Sequence, residues 1–301
     1  MSLYVTARRD TTLGGRTWNL PVVLRFDGIT DGAPHIADII WHPFDDDSRR
    51  FNRPDPVVTD EQVAFTAVAV LPDNNIYVSR QGPVNERGSI LFPHNIILEF
   101  RPDGSPLQAI VALSPTLESL RSSLFPTTIA TYVHPPQRSF FGTDKHFLLG
   151  QSRGPAGGAP LRFSALSIRV VVTPNGTEFQ PDATKLQVTS NPDAGDDFLY
   201  DEFKFELVSD MTVAMDGTNY IFVLDAGSDS LHVFTGLGIE GVAPPPGSSS
   251  TKPVNVSFGG TGDGASQFSS PQGVAYFEQV VYVADTGNNR IARYRLNTDF
   301  E

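Results

Sequence analysis

The sequence predicts an all-β chain made of one repeated unit, a four-stranded antiparallel meander. Three observations carry that expectation. A short apolar strand recurs as Leu3-Tyr-Val-Thr, Ile76-Tyr-Val-Ser, Phe147-Leu-Leu-Gly, Ile221-Phe-Val-Leu and Val281-Tyr-Val-Ala, at intervals of about 60 to 74 residues. Each copy is followed by a second run rich in β-branched and aromatic residues, as a half-buried pleated surface prefers. Asp27-Gly28, Asp103-Gly104 and Asn175-Gly176 stand just past three of those second runs. A tight reversal is needed there, and these pairs supply positive φ without a Cβ clash.

With the recurring strand placed at B of a unit A to D, the elements follow in chain order. The N-terminal unit supplies B at Leu3–Thr6, C at Val22–Phe26 and D at Ile36–Trp41. The next has A at Thr66–Leu71, B at Ile76–Ser79, C at Ile96–Phe100 and D at Leu107–Ala112. The third reads Thr128–Val133, Phe147–Gly150, Ile168–Val172 and Leu186–Thr189, and the fourth Met211–Met215, Ile221–Leu224, Leu231–Phe234 and Val254–Phe258. The last has A, B and C at Gly273–Phe277, Val281–Ala284 and Ile291–Tyr294. One helical insert is expected at 114–124, with Ser114 as N-cap, Pro115 at the first helical position and Leu117, Leu120 and Leu124 on one face. Residues 243–253, rich in Pro and Ser, read as a flexible surface loop.

The fullest copy is Phe258-Gly-Gly-Thr-Gly-Asp-Gly, then Phe268, Pro271, Gly273-Val-Ala and Val281-Tyr-Val-Ala-Asp285-Thr-Gly-Asn-Asn-Arg290-Ile. This punctuation resembles the NHL repeat, well at 258–296, moderately at 211–236 and elsewhere by strand pattern. The resemblance implies an NHL-like β-propeller, with 1–301 as a single domain of blades stacked around an axis. Five units are visible, whereas closed relatives usually have six blades. Either one blade is irregular or the N-terminus has been trimmed within a blade. The resemblance also implies that Asp285, Asn289 and Arg290 fasten a blade, with 225–229 as a weaker copy.

Composition bounds the function. Hydrophobic residues make up 40% of 301, enough for a packed core, and no apolar run approaches the roughly 18 residues of a membrane span. The net charge of −12 makes duplex nucleic acid a poor partner for the molecule as a whole. The absence of Cys removes disulfides, thiol catalysis and thiolate metal sites. Met1-Ser2-Leu3 leads straight into a strand with no signal segment. The expected address is extracytoplasmic (periplasmic, cell-surface or secreted), in a bacterial envelope, with any export segment trimmed away.

Long connections accumulate on one face of the expected meander, the usual way such a scaffold builds a binding surface. The B–C segments 7–20, 80–94 and 151–165 carry Arg8, Arg9, Arg16 and Trp18; Arg80, Arg87 and Phe92; and Arg153, Arg162 and Phe163. Arg offers a planar fork for carboxylate or phosphate, and an aromatic face stacks on sugars or peptide groups. These residues form a candidate ligand-binding patch, or else each Arg pairs with a nearby Asp at little energetic consequence.

Other chemistry is thinner. Gly260-Thr-Gly-Asp-Gly-Ala265 fits a loose dinucleotide fingerprint but lacks the following helix. No cofactor is demanded by any motif. Zn²⁺ could be held by His from separate blades, as in amidating lyases of this type, with His42, His94 and His134 in or beside connections. Ca²⁺ could sit on Asp45–Asp47 or on Asp193, Asp196, Asp197, Asp201 and Glu202. The reading favoured is a non-enzymatic, monomeric propeller that recognises a protein, peptide or glycan. The alternative is a metal-dependent lactonase-like or lyase-like enzyme with its site at the central channel.

Overall fold

The computed structural model describes residues 2–13, 15–29, 31–41, 64–71, 74–81, 96–110, 126–131, 145–151, 162–173, 176–181, 199, 204–244, 247–250 and 252–296. Within these residues the regular structure is strand, apart from one 3₁₀ turn at Thr286–Asn288. The strands are β1 (Leu3–Leu13), β2 (Arg16–Asp27), β3 (His35–Ile40), β4 (Ala64–Val70), β5 (Ile76–Gln81), β6 (Ile96–Phe100) and β7 (Pro106–Ile110). Then come β8 (Pro126–Thr131), β9 (Lys145–Gln151), β10 (Arg162–Thr173), β11 (Gly176–Pro181), β12 (Val208–Val213), β13 (Ile221–Asp225) and β14 (Ser230–Phe234). The last are β15 (Phe258–Gly259), β16 (Pro271–Phe277), β17 (Val280–Asp285) and β18 (Arg290–Arg295).

They form sheets ordered β1-β2-β3, β4-β5-β6-β7, β11-β10-β9-β8, β12-β13-β14-β15 and β16-β17-β18. Each is a meander of sequential neighbours, and every strand pair with an assigned register is antiparallel. The fold class is therefore all-β, built from antiparallel meanders of three or four strands. The expected A, B and C strands appear within a few residues of their predicted bounds, except that β1, β2 and β10 are far longer. Position D differs more. In the third sheet Gly176–Pro181 pairs beside position C, and the expected strand at 186–189 lies outside the described residues; the fourth D strand shrinks to Phe258–Gly259 with a single bridge pairing Val242 to Val254. The predicted helix at 114–124 lies outside the described residues.

The chain divides into two compact units. One holds 1–127, 152–158 and 171–181; the other holds 128–151, 159–170 and 182–301. In the first, β4 alternates as its sequence Ala-Phe-Thr-Ala-Val-Ala-Val dictates, burying Phe65, Ala67 and Ala69. Of these, Phe65 belongs to a core with Val23, Ile40, Ile76, Val78, Leu98 and Phe100. In the second unit, the central strand β13 is buried on both faces. Ile221 and Val223 pack with Ala130, Leu148 and Met211, whereas Phe222 and Leu224 pack with Phe268, Val274, Val281 and Val283. Sheet thus stacks on sheet within this unit, as a blade that cannot cover its own faces requires. Full burial of a side chain such as Phe222 is worth about 2–3 kcal/mol, and its ring also stacks on Tyr276 at 5.3 Å between centroids.

Candidate functional site

Residues 7–13 and 16–20, expected within a loop, are paired strand. β1 and β2 run in register from Leu3 opposite Phe26 to Leu13 opposite Arg16, while β3 pairs only with Val23–Asp27. Residues 7–13 and 16–22 therefore make a two-stranded ribbon beyond the reach of β3. The sequence Ala-Arg-Arg-Asp-Thr-Thr-Leu has too little apolar alternation to announce a strand, since the ribbon has no core-facing side along most of its length. Cross-strand polar pairs hold it instead. Arg8 Nε donates to Asn19 Oδ1 at 2.6 Å and Asn19 Nδ2 donates to Asp10 Oδ1 at 2.7 Å, with the Thr12 and Thr17 hydroxyls 3.3 Å apart.

That ladder occupies one face of the ribbon. The period of two puts Arg9, Thr11, Trp18 and Leu20 on the other, with Arg9 opposite Leu20 and Thr11 opposite Trp18. Arg9 is exposed, Trp18 is half-buried, and the two lie on a cross-strand diagonal within reach of long side chains. Among the described residues the Arg9 side chain makes no hydrogen bond or ion pair, in contrast to Arg8. A cation over or beside an aromatic face is suited to an anionic or π-bearing group.

The other expected site residues are placed as follows. Arg16 lies in β2 at the tip of the ribbon, opposite Leu13. Arg80 is the fifth residue of β5, paired to Phe65 and Ile96 and only 3% exposed, so it belongs to the sheet interior and not to the surface carrying Arg8 and Arg9. Arg162 and Phe163 open β10 opposite Gln151 and Gly150, so the end of segment 151–165 is strand as well. Arg87, Phe92 and Arg153 lie outside the described residues. The ribbon is where the structure brings expected residues together: Arg8, Arg9, Arg16 and Trp18 share it.

The turn after β17 has the fastening role that its repeat implies. Asp285 is fully buried; its Oδ1 accepts Ser269 N–H at 2.8 Å, and its Oδ2 accepts Asn288 Nδ2 at 2.9 Å and Arg290 Nε at 2.7 Å. Arg290 also donates to the carbonyls of Asp263, Gly264 and Gln267 at 2.7–2.9 Å. The working amide is that of Asn288 and not Asn289, which closes the turn in the left-handed region at φ 51°. Asp229 stands at the matching place, φ 50°, and its carboxylate reaches forward to Thr261 Oγ1 and Ser270 N–H. The glycine-rich segment 260–265 is no phosphate cradle. Its Gly260, Gly262 and Gly264 amides donate to Asp229 O, Phe268 O and Gln267 Oε1, and Arg290 donates to its Asp263 and Gly264 carbonyls.

Two polar groups were not singled out by the sequence. Asp210, at a bulge in β12, accepts Met211 N–H and, from β16, Val274 N–H, both at 2.9 Å. Desolvation outweighs those bonds and pushes its carboxyl up to about 7. Glu240 gathers Lys204 Nζ at 2.5 Å, His232 Nδ1 at 2.9 Å and Ser257 Oγ at 2.6 Å. Burial opposes its charge, but His232, Lys204 and Ser257 prevail and hold it down at about 2. The cluster pins the connection after β14 to its blade. The only hint in sequence was a charged residue between the apolar Ile239 and Val242.

Among the described residues no group of three His, Asp or Glu side chains is placed to hold a metal ion. His232 is engaged by Glu240. His42, His94 and His134 and both acidic clusters lie outside the described residues.

Comparison with known proteins bears on the repeat. The family model of the NHL repeat matches residues 268–294. No curated protein sequence matches the chain. Among solved structures, the chain is similar to an auxiliary nutrient binding protein from Bacteroides ovatus at 12% identity and a TM-score of 0.32, covering 77% of this chain. The chain spans 59% of that protein's length. It is also similar to a streptogramin B lyase, at 11% identity and a TM-score of 0.35, covering 98% of this chain and 88% of that one. A catalytically inactive virginiamycin B lyase from Staphylococcus aureus, solved with quinupristin, gives 12% identity and a TM-score of 0.31, with 80% and 87% covered.

Proposed function

We propose that the chain is a single NHL-type propeller domain acting as a non-enzymatic, monomeric recognition module in an extracytoplasmic setting. Its ligand is a protein, peptide or glycan bearing anionic groups. The β1–β2 ribbon supports this reading: it projects past its sheet and presents Arg9 beside Trp18 on a face that the Arg8–Asn19–Asp10 ladder does not use. The ladder ties the two strands together in register, which lowers the ordering cost of the Arg9–Trp18 face when a ligand binds. A local cation on a molecule of charge −12 also favours discrimination by geometry over indiscriminate polyanion capture.

The test is binding of immobilised heparin, a sulfated glycan, to the native chain and to Arg9→Ala/Trp18→Ala. The double variant is expected to lose roughly fivefold to tenfold in affinity, from one desolvated cation and one stacking face. Arg9→Lys, keeping charge without the fork, should fall between. Equal binding by all three proteins would remove the proposal, and metal-dependent turnover in a lactone or ester screen would favour the enzymatic alternative.

A further inference from the structure

The bulge near the start of position A recurs. Register shifts between Phe65 and Ala67 in β4, between Val208 and Asp210 in β12 and between Pro271 and Gly273 in β16. An extra residue in a strand reverses the side-chain alternation beyond it. In β12 it sets Val208 and Asp210 on opposite faces. Val208, Met211 and Val213 pack with Ala130 and Leu148, whereas Ala214, of the same parity as Asp210, packs with Val274 and Val283. The residues just past the three bulges are Ala67, Asp210 and Gly273. Of these, Asp210 alone can ionise.

Asp210 ties two sheets together. Its Oδ1 accepts Met211 N–H of its own strand and its Oδ2 accepts Val274 N–H of β16, both at 2.9 Å. It has no ion pair and no further hydrogen bond, and among the described residues no cation faces it. On β13 the ionisable residue is Asp225, engaged by the amides of Glu206, Leu207 and Gly227 and by Ser228 Oγ. β16 offers Tyr276, whose hydroxyl donates to Asp216, and β17 offers Tyr282 and Asp285, the latter paired with Arg290. The opposite face of β12 meets β8, which has no ionisable residue, and β9, where Lys145 and His146 stand at the start.

A neutral carboxyl suits this seam, because its carbonyl oxygen still accepts an amide and no charge is desolvated. An ionised one puts an uncompensated charge between two packed sheets. That difference is why the group titrates at about 7 rather than 3.8. Any opening that returns Asp210 to water restores its ordinary value and releases a proton. The advantage of the closed seam is therefore fully present below pH 3.8 and is lost as pH rises towards 7. We propose that the contact of β12 with β16 is a proton-operated joint, shut while Asp210 carries its proton and loosened when the proton leaves. It concerns these two strands and does not depend on the Arg9–Trp18 face.

Hydrogen exchange of the full chain, followed by NMR from pH 5 to pH 8 and corrected for intrinsic rates, reads the joint at the Val274 amide. The amides of Val223 and Val283, in the central strands β13 and β17, report global unfolding. Protection at Val274 is expected to lie below theirs, to fall about tenfold per pH unit and to level off above about 7. The Asp210 carboxyl carbon should titrate over the same range, a readout that needs no variant. Asp210→Asn should remove the pH dependence at Val274 relative to the central strands. Gly273→Ala, whose Cβ would lie in ordinary contact 3.7 Å from Asp210 Oδ2, should move the titration to higher pH by excluding water. Val274 as well protected as Val283 at every pH would mean that the seam opens only on global unfolding, and the proposal would fall. Protection independent of pH, or a pH dependence that survives Asp210→Asn, would overturn it equally.

Discussion

Asp285 and Asp210 both accept backbone N–H groups, yet their carboxyls titrate in opposite directions. At Asp285 burial opposes the charge, but Asn288, Ser269 and Arg290 overcome it and the carboxyl sits below its ordinary range. Asp210 has two amide donors and no cation, so burial wins and raises it from 3.8 to about 7. Its native carboxyl holds a proton more tightly than the unfolded chain does. The contribution to stability is complete below pH 3.8 and is lost as pH rises towards 7. Replacing Asp210 with Asn should therefore improve relative stability at pH 8 compared with pH 5, by on the order of 1–3 kcal/mol in urea unfolding at the two pH values. A difference independent of pH would show that desolvation does not govern this carboxyl. Asp285 was legible because a repeat motif encloses it. Asp210 was not, because only β16 supplies the amide that gives it a role.

The element that repeats most faithfully is the turn Asp-x-Gly after position B, at Asp225–Gly227 and Asp285–Gly287. Its glycine is explained by close approach. A Cβ at Gly287 would lie 2.6 Å from Ser269 O, and one at Gly227 would lie 2.9 Å from Leu207 N, backbone that cannot step aside as a side chain end can. Both glycines press the turn against the segment leading into position A, whose amides bond the Asp carboxylate. Gly287→Ala should cost about 1–3 kcal/mol by chemical denaturation, because overpacking here moves main chain. An unchanged midpoint would mean that the turn can slide. The ribbon of residues 7–20 shows the opposite case, an element that the sequence hid. Its polar ladder satisfies strand geometry without the apolar alternation by which strands are recognised.

For the whole molecule, the acid limb of stability should rest on a few carboxylates. Asp225, Asp285 and Glu240 are held below their ordinary values, Glu240 at about 2. Each contributes stability above its unfolded pKa that is lost as pH falls through the folded one. Acid unfolding is expected to begin below about pH 4, and Asp225→Asn with Asp285→Asn should flatten it while lowering stability at pH 7. An acid limb of unchanged slope in that double variant would place the responsible groups elsewhere. Sequence alone determined the all-β class, the position of most strands and the fastening turns, because strand periodicity, Asp-Gly reversals and Asp-x-Gly turns are local patterns set by backbone sterics. Which groups are free to act was decided only by tertiary structure. Arg80 and Arg9 look alike in the chain, but one closes a buried strand pair and the other stands exposed beside Trp18. Leu231 and Ile291 occupy the same place in their repeats, yet Leu231, opposite Phe258, is a core residue and Ile291 is exposed. Burial and pairing depend on residues far away in sequence, so no local pattern can carry them.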